Sequence, residues 1–542
     1  MRNNIKITNS NEQTLSKKQT DNENDRVTKA AGVVGSATLL SRIFGFIRDV
    51  VIAWFFGAGF SSDAFFVAFR IPNLLRRLFA EGSLSVTFIP VFAETLTNRG
   101  KEEAFEMARS AIRLLSVLLV VVAVTGIFLS PLIIRIIAPG FADSPEKLSV
   151  TIFLTRIMFP YIFFIGMVAL SMGILNVLGH FAAPALAPVF LNISIIGSVF
   201  LISPHMADPV TGLAIGVVIG GILQLGLQMP FLIKKGFYFW HKAKFFHPGL
   251  KKMGLLMIPT IFGAAVYQIN ILVGTLLASL LPEGSVSYLY YADRLVQFPL
   301  GIFAIAMSTA VFPSISRQAA KKDLQAVRDT FAYAMKLIFF ITIPSMVGLI
   351  VLREPIVALL FKRGAFDAKT AHLTAYALLY YSIGLWAFSA VRIVVSTFYA
   401  LQDTKTPVRM AVISVCANII LGIVLMGPLG HGGLALATSL ASILNLGLLV
   451  RALRSKLGML GLKMIMTSVY KTIICSIFMG AAVWAAALFI IPSEGGSLMD
   501  LFFGLVVSIS IGLVLYGSFS LLLKSWKAGK VLAIIRKETD KA

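Results

Sequence analysis

Residues 41–82 read SRIFGFIRDVVIAWFFGAGFSSDAFFVAFRIPNLLRRLFAEG. The stretch is apolar enough to enter a bilayer, yet it carries Arg42, Arg48, Asp49, Asp63, Arg70, Arg76, Arg77 and Glu81. A charge at the centre of a membrane helix costs roughly 2.5–3.5 kcal/mol on insertion scales. One such residue can snorkel to the interface. Eight on two adjacent hydrophobic helices cannot all face lipid, so they must face each other or a wet cavity, and the surplus is positive. Arginine suits a phosphate, because its planar fork makes paired hydrogen bonds and stays charged when buried. The expectation is a hydrated, arginine-lined cavity inside the membrane, shaped for an anionic headgroup.

The rest of the chain supplies the membrane. It has 542 residues, 57% hydrophobic and 13% charged, with mean hydropathy +0.86. Soluble domains carry about 25% charged residues, so an all-α polytopic membrane protein is expected. The net charge of +23 is then assigned to cytosolic loops and, in smaller part, to the cavity. Aromatic and basic residues interleave at Phe237, Trp240, His241, Lys242, Lys244 and Phe245. At a membrane boundary this reads as an interfacial belt, and no nucleic-acid partner is expected. Cys416 and Cys475 sit in apolar runs and are read as packing residues. No metal-ligand spacing or phosphate-cradling loop occurs, and no cofactor is expected.

Spanning helices need about 20 apolar residues. Stretches that qualify are 31–57, 63–93, 106–137, 148–176, 183–203, 210–233, 252–281, 286–314, 329–352, 371–400, 407–427, 432–452, 466–492 and 499–524, about fourteen in all. Lys and Arg gather in the N-terminal tail, in 234–252, 317–328 and 451–463, and in the C-terminal tail. The alternate loops SPHMADP, LPEGS, GPLGHG and PSEGGS have none; the loop at 353–369 is the exception. Both termini are therefore expected in the cytosol.

A repeat with an offset of about 223 residues runs through the chain. Phe88-Ile89-Pro90 answers Val311-Phe312-Pro313, Gly140 and Asp143 answer Gly364 and Asp367, Pro184 answers Pro407, and Arg70 loosely answers Arg294. The expected organisation is a disordered cytosolic tail at 1–28, a six-helix lobe at 29–235, a cytosolic linker at 236–251 and a second six-helix lobe at 252–455. Two further helices follow at 456–525, then a cytosolic tail at 526–542. Lobes related in this way, by a pseudo-twofold axis along the membrane normal, bind cargo between them and rock about it.

Helical spacing sorts the charges. Arg42 and Asp49 share a stripe, and Arg48 is rotated about 120° from Arg42. Asp63, Arg70 and Arg77 repeat every seven residues. Pro72 can bend the helix just before Asn73 and Arg76. Asp293, Arg294 and Gln297 form a polar turn on the eighth stretch. Competing readings stay open: Arg77 with Glu81 as a local ion pair, Asp49 as a structural partner of an arginine, Arg70 snorkelling or paired with Asp63. Arg156 and Arg392, also in apolar runs, either meet a lipid phosphate or pack near an interface.

The motifs SRIFGFIRD (41–49), GAGFSSDAFFVAFRIPNLLRRLFAEG (57–82), APGF, FPYI, YYADRLVQFPLG (290–301) and QDTKTPV (402–408) follow one another in order. In them the chain resembles the MviN/MurJ family of bacterial lipid II flippases, over residues from about 30 to 525. The resemblance implies a fourteen-helix fold of the MOP exporter class in the inner membrane. It also implies outward movement of an undecaprenyl-pyrophosphate-linked muropeptide, with cell-wall synthesis machinery and membrane lipids as partners. It carries the cavity arginines onto Arg42, Arg48, Arg76 and Arg294, acidic positions onto Asp49 and Asp63, and a thin gate onto Glu81-Gly82. Arg70 stands where the family often has lysine, and joins the substrate-binding set. No bond is made or broken; the membrane potential or a monovalent cation gradient is the candidate drive. Alternatives are a flippase for another lipid-linked oligosaccharide, a drug exporter of the same fold, which the arginine surplus disfavours, and a polyprenyl-phosphate-processing enzyme, for which no loop is long enough.

Overall fold

The structure, a computed structural model, describes residues 32–77, 84–241, 244–491 and 497–523, with backbone only at 85 and 258–267. The described residues are helical and contain no strand. The helices are α1 (32–56), α2 (Phe60–Arg76), α3 (Leu84–Arg99), α4 (Lys101–Ile137), α5 (Pro145–Met158), α6 (Tyr161–Val177), α7 (Ala182–Leu201), α8 (Val210–Lys234) and α9 (Pro248–Ser279). There follow α10 (Ser285–Pro299), α11 (Ile305–Ala320), α12 (Leu324–Val351), α13 (Arg353–Phe361), α14 (Ala368–Ile383), α15 (Leu385–Ala400), α16 (Lys405–Leu457), α17 (Leu462–Ile490) and α18 (Leu498–Leu522).

Helix covers most of the described residues in each of the fourteen expected stretches, with breaks at 159–160 and Gly384. Among the described residues nine helices are long and apolar enough to cross a membrane, or ten when the bent pair α14–α15 counts as one span. Helix α1 is long enough but holds the charges Arg42, Arg48 and Asp49. Helix α16 runs over 53 residues as two helices that meet at a sharp kink inside GPLGHG, the break expected between 407–427 and 432–452. A single residue, Gly430, breaks the helix at φ 54°, ψ −134°, and His431 is buried on the other side. The positively charged exception at 353–369 contains α13.

The chain forms two compact units. The first holds the described residues through Ile52, with Ala68–Ile134 and Ser149–Ala265. Its packing relies on small residues: a Cβ at Gly216 would lie 2.2 Å from Ser198 Oγ, and one at Gly220 2.6 Å from Leu191 Cδ1, so side chains of α7 sit directly on the glycine backbone of α8. Phe237, expected in an interfacial belt, is instead fully buried against Phe105, while Trp240 is 64% exposed.

The second unit holds Ala53–Val67, Arg135–Leu148 and the described residues from Val266 on. Two segments from the first half of the sequence thus belong to it. Helices α17 and α18 pack on α12 through Cys475, Met479, Val483 and Leu505, and the Tyr516 hydroxyl donates to Phe340 O at 2.6 Å. Cys416 is exposed, unlike the packing residue expected.

The 223-residue offset recurs in element bounds. Shifted by that amount, the starts of α4, α5 and α7 fall on the starts of α12, α14 and α16, and the ends of α6 and α8 on the ends of α15 and α16. Even an unusual backbone angle recurs: Gly179 has φ 75°, and Gln402, its counterpart, has φ 59° despite its side chain.

Candidate functional site

In the first unit, Arg48 and Asp49 are 9% and 2% exposed. Arg48 Nε and Nη2 donate to Asp49 Oδ1 at 3.0 and 2.7 Å, and Nη1 donates to Asn192 Oδ1 at 3.0 Å. Asn192 Nδ2 donates in turn to Ser41 O at 3.2 Å, so α7 fixes the guanidinium plane. Arg48 is therefore a clamped, partly neutralised cation, and Asp49 takes the structural-partner role. Arg42 lies on another face of α1 and is exposed, with no ion-pair partner among the described residues.

On α2, Arg70, Arg76 and Arg77 are half-buried. Pro72 lies inside the helix and withholds one backbone donor. Arg76 Nε and Nη2 both donate to Asn73 Oδ1, at 3.1 and 3.0 Å. Asn73 is uncharged, so this contact orients the fork without neutralising it. Glu81, and with it the Arg77–Glu81 pair and the gate, lies outside the described residues.

In the second unit, Arg294 Nη2 donates to the Tyr290 hydroxyl at 3.0 Å, one helical turn away on α10, and its Cζ lies 4.9 Å from that ring's centroid. The Tyr290 ring also stacks on Phe66, centroids 3.8 Å apart and planes at 21°. Tyr290 is thus a platform that positions Arg294. Tyr291, fully buried and donating to Gly57 O at 3.3 Å, is a packing residue.

Asp63 is 1% exposed, and both its oxygens are engaged. Lys147 Nζ and Gly284 N donate to Oδ2, each at 2.8 Å; Ser287 N and Oγ donate to Oδ1 at 2.9 and 2.6 Å. Gly284 caps α10 with φ 90°, so the carboxylate of α2 sits on the N-terminus of another helix, where backbone donors and the helix dipole favour an anion. Lys147 is buried as well, 4.5 Å over the Phe141 ring. The partner of Asp63 is thus Lys147, not Arg70. Lys147, Gly284 and Ser287 escaped the sequence reading, because each lies in an ordinary-looking turn or helix start, 84 residues or more from Asp63.

A protein-family model described as "Lipid II flippase MurJ" matches residues 52–521. A probable lipid II flippase MurJ of Vibrio cholerae is 41% identical over 79% of this chain and 83% of its own length. One of Haemophilus influenzae is 36% identical over 90% of this chain and 98% of its own. Among solved structures, "Lipid II flippase MurJ, inward closed conformation" superposes with TM-score 0.77 at 31% identity, covering 90% of this chain and 98% of that one. An inward-facing MATE-family multidrug transporter of the MOP superfamily, 17% identical with TM-score 0.67, shares the fold over 80% of this chain and 99% of its own. On this evidence the chain is a multi-pass membrane protein that belongs to the lipid II flippase MurJ family.

Proposed function

We propose that the chain carries lipid II from the cytosolic to the outer leaflet of the bacterial inner membrane by alternating access, with both termini in the cytosol. A family match that runs through all the arginine-bearing helices from residue 52 onward carries this reading. The cargo's difficulty is physical: about two negative charges cannot cross bare hydrocarbon. Arg42, Arg48 and Arg76 of the first unit and Arg294 of the second meet the pyrophosphate at stages of the cycle, with Arg70 beside them. Asn73 and Tyr290 pre-orient two of the forks, which lowers the ordering cost of binding. Asp49 serves as the resting counter-ion of Arg48 and yields to the cargo phosphate. Asp63 contributes through the segment it holds rather than by touching cargo.

The protein changes which face it opens to and catalyses no reaction. Each charge moved through the potential is worth about 2.3 kcal/mol per 100 mV, enough for the potential or a monovalent cation gradient to drive the cycle. Cell-wall synthesis machinery then consumes the delivered precursor.

The test is growth and leaflet-resolved lipid II accessibility in cells depleted of their own flippase. Single Ala variants of Arg42, Arg76 and Arg294 should be present in the membrane yet leave lipid II inaccessible from outside. Lys variants should retain part of the activity, since charge survives and the paired fork does not. Normal accessibility in all the Ala variants would remove the cargo assignment.

A further inference from the structure

We infer a glycerophospholipid phosphate site on the lipid-facing side of the α4–α5 pair, built on Arg156. The site is separate from the cargo arginines and does not depend on what the cargo is.

Helix α4 is the most apolar of the candidate spans among the described residues, and most of its apolar stretch faces outward. Its outward stripe includes Val121, Val124, Phe128 and Leu132, with Phe128 76% exposed. On α5, Phe153 is 52% exposed. This is a face made for acyl chains. Arg156 stands exposed on it, one turn after Phe153.

Arg156 is held in place by a chain of consequences that begins with a proline. Pro131 lies inside α4 and has no N–H to give to the carbonyl four residues back, that of Ile127. In lipid such an orphan must find another donor. The Ser130 hydroxyl supplies it, donating to Ile127 O at 2.8 Å. With its proton committed, Ser130 Oγ can only accept, and Arg156 Nε donates to it at 3.1 Å. Close packing nearby fixes the two helices: a Cβ on Gly126 would lie 2.0 Å from Phe159, so nothing larger than glycine fits there. One edge of the guanidinium is thereby pinned to protein. Its terminal nitrogens, Nη1 and Nη2, make no hydrogen bond or ion pair with the described residues.

A guanidinium fixed among exposed apolar side chains needs an anion that comes with acyl chains. Ser130 lies seven residues before the end of α4, about 10 Å along the axis. The hydrocarbon half-thickness is about 15 Å, so a fork pinned at this level meets a headgroup phosphate drawn inward by local thinning of the bilayer. The Nη1–Nη2 edge is the fork that takes two phosphate oxygens. The occupant is therefore a diacyl phospholipid of the leaflet bordering the 138–144 turn, its phosphate on Arg156 and its chains along Phe128, Leu132 and Phe153.

The test uses the full-length protein in a phosphate-free maltoside detergent, with phosphatidylglycerol, dioleoylglycerol and inorganic phosphate as separate probes. Thermal stability and the number of lipids retained in native mass spectrometry are read for wild type, Arg156→Gln, Arg156→Lys and Ser130→Ala. Phosphatidylglycerol should stabilise the wild type and stay bound as one tightly retained lipid. Arg156→Gln should lose that lipid with about a tenfold drop in affinity, and Ser130→Ala, which only unpins the fork, should lose part of it. Dioleoylglycerol and inorganic phosphate should each do little, since one lacks the phosphate and the other the chains. Equal retention of phosphatidylglycerol by wild type and Arg156→Gln would overturn the site. So would dioleoylglycerol matching phosphatidylglycerol, which would make the face merely apolar, or inorganic phosphate alone giving the full stabilisation. Should Arg156→Gln fail to fold, Ser130→Ala and Arg156→Lys decide: retention unchanged from wild type in both defeats the assignment.

Discussion

Asp63 shows how one carboxylate can be committed to structure in a place where a cargo contact was expected. Four donors saturate it, and the only cation among them, Lys147, is itself 5% exposed. Removing one partner of a buried pair leaves an uncompensated charge and costs about 3–5 kcal/mol, whereas replacing both is often close to neutral. Asp63→Ala should therefore destabilise the protein by about that much. Adding Lys147→Met should restore most of the loss, a coupling of the kind seen between residues in direct contact. Denaturant titration of the two variants in detergent checks this. If the double variant is as unstable as the single, the pair is not what the carboxylate is for. Arg48 contrasts with Lys147, because its Asp49 lies next in sequence and Asn192 holds its far edge.

Helix α16 carries its own closure. Asp403 accepts from Lys405 N at 3.1 Å, Thr406 N at 3.0 Å and Thr406 Oγ at 2.6 Å at the start of the helix, and pairs with Lys456 at its far end. The long element turns back at Gly430, so one carboxylate clips its two ends together. Burial pushes the Asp403 carboxyl up, but the Lys456 ammonium and the Thr406 hydroxyl and N–H outweigh it and hold the group well below the usual carboxylate range. A depressed folded pKa means that the unfolded chain takes up the proton first. The clip's contribution is complete above the ordinary carboxylate pKa of about 3.9 and is lost as pH falls towards the folded value. The melting-temperature gap between wild type and Asp403→Asn should be constant from neutral pH to about 5 and narrow steadily below about 4. An identical gap at pH 3 and pH 7 would rule the clip out as a source of acid sensitivity. In the first half of the chain the counterpart of Asp403 is His180, stacked on Phe231 with centroids 4.4 Å apart. Burial, then the nearby Lys235 charge, lower its pKa. The same corner is held there by a ring stack instead of an ion pair.

Such contrasts mark what the sequence could disclose. Apolar runs declared the helices, because hydropathy is a local property, and the 223-residue offset declared the repeat, because register survives where side chains change. GPLGHG signalled the break between two helices, and the structure makes that break with one glycine at positive φ, Gly430. Asn192 on Arg48 and Lys147 on Asp63 left no local trace, since each pairing is created by packing between residues 144 and 84 positions apart.

At the scale of the whole molecule, chain halves and compact units do not coincide. Ala53–Val67 and Arg135–Leu148 leave the first half of the sequence to join the second unit. Within that unit the 53–67 segment is held by Ala365 N donating to Trp54 O at 2.9 Å, by Phe60 N donating to Glu283 Oε1 at 2.9 Å, and by the Asp63 cluster. Gly57, at φ 63°, lets the chain turn where a Cβ would lie 2.5 Å from Ala365 O. We expect the proposed alternating cycle to release this grip in one state and to re-form it in the other. Lys147 belongs to 135–148 and Asp63 to 53–67, and the pair ties both segments to the start of α10. Weakening it should shift the population towards the released state. A reporter lies beside the cluster without belonging to it: Ser285 is 2% exposed and bonds only Pro282 O among the hydrogen bonds of its side chain. Place Ser285→Cys in a chain whose Cys416 and Cys475 have been replaced. With Asp63 and Lys147 intact, a water-soluble maleimide should react slowly. Adding Lys147→Ala should raise the labelling rate by at least about tenfold, equivalent to a shift of about 1.4 kcal/mol between the states. If the rate stays unchanged while the variant is folded, the Asp63–Lys147 pair is not the contact whose release opens this end of the molecule, and the grip must then rest on Trp54, Phe60 and their backbone partners.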